Sequence, residues 1–399
     1  MAVIGAGAAG LVAAAFASAA GAETVLLERT KDGGRKILIS GGGRCNVLPA
    51  VLAPERFVTD SPAHLLRAML RAWPLHEQKR FFEEDLGIPL ALEEESGKLF
   101  PRSNRAKDVR DGLVAHAHAK GARIQFDTTV TGLTQTTSGF LISTSQGDVP
   151  AGRVVIATGG LSVPMTGSDG TGLDIARQFG HEMIETYPAL TPLLDDTESH
   201  AALAGVSMDV RLRVKSGNRV TDSYGGFLFT HRGYSGPSVL DISHLTARGE
   251  RPVIRAQWSN RTAAQWEADL TPQRPADTTI AAIVARHVPA RLGEHLMFRS
   301  GIPLDRRTSS LKRSERLALI DALTAYPLPW SGSEGYKKAE VTGGGVALGE
   351  VDPKTLESRK VPGLYLCGEM LDAFGPIGGH NFSWAWATGR AAGTAAGRS

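Results

Sequence analysis

The chain has 399 residues, 42% hydrophobic and 21% charged, with a formal net charge of +3. That length exceeds one ordinary hydrophobic core and predicts two or three folding units, while the mild charge excludes a dedicated polycationic tail. Two cysteines, Cys45 and Cys367, are too few for a disulfide framework or a cysteine-rich zinc site, so a reducing cytosol is expected and no metal.

In chain order, residues 2–4 read as a strand, 10–20 as an Ala-rich helix and 23–28 as a second strand, a βαβ unit. The apolar opening carries spaced glycines and no basic leader, which argues against a signal peptide. No later stretch holds about 18 uninterrupted apolar residues, so a cytoplasmic chain without a membrane span is expected. A basic, glycine-rich loop covers residues 31–46. Helical patterns follow at 63–73 and 75–86, the second stopped by Gly87-Ile88-Pro89. A further helix at 108–119 and strand at 123–126 lead to a small β-meander over 130–150. Then comes a buried strand at 153–157 with the turn Thr158-Gly159-Gly160.

After Pro188 the character changes. Residues 191–257 show short β-like runs, and 278–326 are mostly helical, approached through a polar, Pro-bearing stretch at 271–277. Residues 339–351 return to β character, 363–369 form one more buried strand and turn, and a helix closes the chain over 381–396. The predicted organisation is a first domain from residues 1–188 completed by 351–399. An insert occupies 189–350, β-rich over 189–260, helical over 261–330 and β again over 331–350.

Gly5-Ala6-Gly7-Ala8-Ala9-Gly10 lies between the first strand and helix. Gly5 permits the tight turn, Gly7 lets a pyrophosphate approach the amides at the helix start, and Gly10 allows close helix–strand packing. Glu28 ends the next strand, where a carboxylate accepts from ribose hydroxyls; an acid there favours FAD or NAD over NADP. Residues 33–46 expose the amides of three successive glycines, including Gly42 and Gly43, with Arg44 and Asn46 as added donors for a large anionic cofactor. The strand ending Ala157-Thr158-Gly159 suits a crossover near the pyrophosphate. In the last motif, residues 364–381, Glu369 follows the strand and can meet ribitol hydroxyls. Gly378-Gly379 can aim N–H groups and a positive dipole end at the electron-rich pole of a flavin.

Residues 34–46 (GRKILISGGGRCN), 229–243 (FTHRGYSGPSVLDIS), 339–352 (AEVTGGGVALGEVD) and 364–389 (LYLCGEMLDAFGPIGGHNFSWAWATG) together resemble the BaiN/YhiN-like bacterial flavoproteins. The resemblance spans the chain; Val47-Leu48-Pro49 stands where that family's pattern has Thr/Asn-type residues. It implies an α/β fold, a glutathione-reductase-type, Rossmann-like FAD domain with an inserted β-barrel-like plus helical domain. It further implies FAD held by both ends of the chain. To the residues above it adds Ala9, Arg29, Lys36, Val130, Gly368 and Asn381 as cofactor neighbours. Family activities include reduction of conjugated C=C bonds in steroid-like molecules and, in one branch, of uridine in ribosomal RNA.

A flavin carries the hydride, so the protein need only position a substrate, tune the cofactor and supply a proton. Cys45 is a candidate acid because the adjacent Arg44 can lower its pKa, although a small packing residue fits as well. His231, Tyr234 and His380 are candidate proton donors. Lys98, Arg102, Arg105 and Lys107 read as a solvated basic face, with a phosphate-contacting patch as the rival. Gly343-Gly344-Gly345 lacks a following helix, so NAD(P)H, as electron donor, is expected to bind transiently at the flavin face. The expected partner is a small molecule with an electron-poor C=C or C=N bond. Ribosomal RNA is the alternative, and a flavin-holding sensor without turnover is a third reading.

Overall fold

Ala2–Ile4, Val25–Leu27, Val154–Ile156 and Leu364–Leu366 are apolar and buried at every position, as strands covered on both faces must be. In the computed structural model, which describes residues 1–197, 199–217, 219–248, 251–271 and 278–398, they form a parallel sheet. Arg123–Gln125 adds a fifth strand at one edge and Leu364–Leu366 lies at the other, with Ala2–Ile4 in the centre. The two ends of the chain therefore share one sheet.

Helix Ala8–Ala19 begins two residues earlier than expected, because Gly7 serves as its N-cap. It packs along the terminal helix His380–Arg398. Gly389 and Gly393 make that contact possible: a Cβ on either would stand 2.3 Å and 2.2 Å from the carbonyl oxygens of Ala9 and Ala13. Small residues four apart thus let two helix backbones touch. The loop expected over 31–46 contains a short helix, Arg35–Ile39, and a tight turn, Ser40–Gly43. The helical stretch from Leu75 changes at Phe81–Asp85 to a wider π-turn. The meander is antiparallel over Val130–Thr136, Gly139–Thr144 and Val149–Ala151.

The chain divides into two units, Met1–Pro188 with Ala339–Ser399, and Ala189–Lys338. The insert expected to run to residue 350 thus ends at Lys338. Val341–Val346 lies beside Met183–Ala189 in a two-stranded sheet, and Thr342 bonds to Glu369, which ties the segment to the first unit.

The second unit carries a seven-stranded antiparallel sheet of linear order, with Tyr326–Pro327 and Gly332–Ser333 at its ends. Along Ser207–Ser216, Val210, Leu212 and Val214 point into its own core while Arg211, Arg213 and Lys215 point out, the period of two that a half-buried strand imposes. Helices Ala263–Leu270, Ala290–Arg299 and Arg313–Thr324 contribute to that core. The Pro-bearing approach at 271–277 lies, apart from Thr271, outside the described residues.

Candidate site at two helix starts

The first helix start is open to a ligand. Gly7 has no side-chain cap on its helix, and a Cβ placed on it meets nothing within 4 Å. The leading amides of a helix lack intrahelical partners, so those here face a space that a side chain would fill. Its neighbours are closed by protein instead. A Cβ on Gly10 would lie 1.8 Å from the Gly5 carbonyl oxygen, and one on Gly5 would lie 2.7 Å from that of Ala157.

Glu28 is buried beside this turn. One carboxylate oxygen accepts from the Ala6 amide at 2.7 Å, the other from the Thr30 amide and hydroxyl at 2.7 and 2.6 Å. A carboxylate offers about four lone-pair sites, so capacity for a hydroxyl remains. Arg29 is engaged elsewhere, with Asp169 and the Gly167 carbonyl. Val130 is buried at the head of the meander, and Ala157, Thr158 and Gly159 form the strand end facing Gly5.

Gly42 and Gly43 have φ of 68° and 85°, and a Cβ on either meets nothing within 4 Å. Arg44 leaves this loop: it pairs with Glu93 at 3.0 Å and lies 4.0 Å over the Phe100 ring. The expected lowering of the Cys45 pKa is therefore corrected. The thiol is fully buried, and loss of solvation pushes it up to about 12, opposed only by a hydrogen bond with Ser40. It stays a neutral thiol at ordinary pH.

Several C-terminal candidates bind protein rather than pointing to open space. Asn46 donates to the Leu48 carbonyl at 3.2 Å and accepts from the Gly379 amide at 3.1 Å, so that amide is used to tie the terminal loop to residue 46. Asn381 clamps its own loop through the Gly375 amide and carbonyl at 2.8 and 2.9 Å. The Gly368 amide donates to Thr388 at 3.0 Å. Glu369 accepts from Lys36 at 2.7 Å, from Ser162 at 2.5 Å, and from both the amide and hydroxyl of Thr342 at 3.0 Å. Ser162 and Thr342 escaped sequence reasoning, since a lone serine or threonine carries no signal of a partner so distant in sequence.

The second helix start holds buried polar groups. His380 opens the terminal helix and is 4% exposed, with the Ile377 and Val51 backbones beside its ring. Burial, reinforced by the charge of Arg56, lowers its pKa to about 4, despite nearby backbone carbonyls that favour the proton; the ring is neutral at pH 7. Ser383, one turn on, is fully buried with its hydroxyl unpartnered. A buried hydroxyl without a protein partner keeps its hydrogen-bonding capacity for a ligand or a water. Gly378 sits beside them; a Cβ there would lie 3.7 Å from both His380 Nδ1 and the Lys98 ε-carbon. Open amides at one helix start and the buried Ser383 hydroxyl at another fit a long, polar dinucleotide such as FAD.

The remaining candidates lie in the insert. His231 is exposed in a turn closed by the Thr230 amide on the Gly233 carbonyl at 2.8 Å. Tyr234 is fully buried; its hydroxyl donates to Asp195 at 2.9 Å and meets His200 at 2.7 Å, and burial with the Asp195 charge raises its pKa. A phenol so enclosed and so weakly acidic is a structural hydrogen-bond partner, which corrects its reading as a proton donor. No described helix is long and apolar enough to cross a membrane.

Comparison with known proteins identifies the family. The family described as HI0933-like protein Rossmann domain matches residues 1–395. A ribosomal RNA dihydrouridine synthase of Escherichia coli is 35% identical over 395 residues, covering 97% of this chain and 95% of that protein. A 3-dehydro-bile acid delta(4,6)-reductase of Clostridium scindens is 33% identical over 408 residues, covering 99% and 98%. An open-conformation flavocytochrome c3 fumarate reductase is alike in fold, with a TM-score of 0.51 at 16% identity, covering 99% of this chain and 77% of that one. With matches of that reach, the chain belongs to the HI0933-like Rossmann family, the BaiN/YhiN-type flavoproteins, a family of FAD-dependent oxidoreductases.

Proposed function

We propose that the protein is a reductase that draws electrons from NAD(P)H through FAD and passes hydride to an activated C=C or C=N bond, a C=C conjugated to a carbonyl being the favoured acceptor. The observation that carries the cofactor half is Gly7: an uncapped helix start with open space at its Cβ position, room a pyrophosphate could use. The acceptor half draws on two relatives, because forming dihydrouridine and reducing a 3-dehydro bile acid both saturate a C=C bond conjugated to a carbonyl.

FAD, when bound, supplies reversible hydride transfer. The amides at Gly7 and Ala8 would hold the pyrophosphate, Glu28 would accept from the ribose, and Gly42 and Gly43 would offer further amides to the cofactor's anionic parts. The positive dipole end at the start of the terminal helix would support negative charge on a flavin seated against it. His380, neutral at pH 7, gives one N–H donor and one acceptor in a dry site. With a pKa near 4 it orients a carbonyl by hydrogen bonding rather than passing it a proton.

Anaerobic stopped-flow mixing with NADPH or NADH tests this directly. The flavin absorbance bleaches and returns on addition of an α,β-unsaturated ketone, with one mole of saturated ketone formed per cycle. Bleaching slower than minutes with both nucleotides, or no return with enones or uridine-containing RNA, overturns the reading. Uridine in ribosomal RNA is the second acceptor, favoured by a cationic face on the insert's sheet.

A further inference from the structure

We infer that the outer face of the insert's antiparallel sheet is a docking surface for RNA, an inference that rests on uridine being the acceptor. Strand register builds the face. Arg211 stands between Tyr224 and Gln257, Arg213 between Asp222 and Arg255, and Lys215 between Val220 and Val253. The alternate residues of Ser207–Ser216, Val210, Leu212 and Val214, are buried on the opposite side, so the outward direction of these rows is set by the core. Outward side chains repeat about 7 Å apart along a strand and about 5 Å across strands, close enough for one continuous surface.

Its chemistry suits a polyanion with flat, unpaired rings. Arg211, Arg213, Lys215 and Arg255 bring four cations, against Asp209 and Asp222. Asp222 is taken up by Arg213 at 2.8 and 3.1 Å, and Arg255 donates through one nitrogen to the Ala325 carbonyl at 3.0 Å, keeping its other donors. Among the cations stand Tyr224, Val220 and Val253, exposed by 52%, 57% and 51%. The Arg211 guanidinium lies 5.8 Å from the Tyr224 ring centre. A protein interface concentrates apolar groups and sheds lysine from its centre. Here cations alternate with exposed apolar groups on a broad sheet, as in surfaces that track a backbone and stack bases. An open sheet face with a stacking ring fits unpaired RNA segments better than the grooves of a duplex.

The test uses the full-length, FAD-loaded protein and a fluorescein-labelled RNA hairpin with a uridine-bearing loop, followed by fluorescence anisotropy between about 50 and 200 mM salt. The triple variant Arg211→Ala, Lys215→Ala, Arg255→Ala should lower the slope of log affinity against log salt by about two to three. Tyr224→Ala should weaken binding by about tenfold at every salt concentration, and Tyr224→Phe should restore it. Melting temperature, flavin content and flavin bleaching by NADPH stay at wild-type values in all of them. Binding by the triple variant with an unchanged slope overturns the inference. So does equal affinity for duplex DNA of the same length, or a preference for anionic lipid vesicles over RNA. Loss of NADPH bleaching in the parent protein would sink the reductase reading while leaving RNA binding measurable, so the two failures are separable.

Discussion

Replacing Gly7 with alanine separates the two reasons for which a glycine can stand in a turn. Its backbone, at φ −78° and ψ −169°, is extended and open to any residue, and a Cβ there meets no protein atom within 4 Å. The apoprotein should therefore lose only the N-cap preference, about 0.5–1 kcal/mol. For a unit of this size that is a fall in melting temperature of about 1–4 °C. With FAD the arithmetic changes. The methyl group keeps the pyrophosphate from at least two charge-assisted hydrogen bonds of about 1.5–3 kcal/mol each. A loss of about 3 kcal/mol or more raises the Kd over a hundredfold. Titration of apoprotein with FAD, read by flavin fluorescence, measures it. Gly10→Ala is the contrast, since its Cβ would meet the Gly5 carbonyl oxygen at 1.8 Å and the fold itself should fail. Wild-type FAD affinity in Gly7→Ala, or an apoprotein as damaged as that of Gly10→Ala, would refute the reasoning.

Gly393→Ala should cost about 1–3 kcal/mol by forcing a methyl group to 2.2 Å from the Ala13 carbonyl oxygen, visible as several degrees in calorimetry; an unchanged melt would mean the two helices are not in contact. Cys45, with its thiol pushed up to about 12, should resist iodoacetamide in the folded protein below about pH 9. Rapid labelling there contradicts its burial. Burial lowers His200, His244 and His380 each to about 4 from 6.5, so the unfolded chain takes up protons first as pH falls. The stability linked to these groups is present above pH 6.5 and is lost towards pH 4, at up to about 1.4 kcal/mol per pH unit for each histidine. Urea midpoints of His380→Gln should fall less steeply over that window than those of the parent, and identical slopes would show that His380 is not buried as a neutral ring.

The parallel sheet was legible because its strands are apolar at every position, as residues 2–4, 154–156 and 364–366 display. The glycine turn was legible too, since Gly5, Gly7 and Gly10 carry their reasons in their spacing. What escaped were pairings across the fold. Nothing near Asn46 says that it holds the Gly379 amide, and nothing near Glu369 names Lys36, Ser162 and Thr342. Chain adjacency misled at Cys45, because Arg44 turns out towards Glu93 and Phe100 while the thiol turns in. Tyr234 was a candidate proton donor; its Asp195 and His200 partners lie on other segments and enclose its hydroxyl. The return from the insert at Ala339 was read late, since a β-like run carries no mark of which sheet it joins.

Binding of one FAD across both ends of the chain is tested most directly by a crystal structure of the flavin-loaded protein. The pyrophosphate is expected within hydrogen-bond distance of the amides at Gly7 and Ala8, and the isoalloxazine against the start of the terminal helix, beside Gly378 and His380. A colourless protein that takes up no FAD, or a flavin seated away from either helix start, contradicts it.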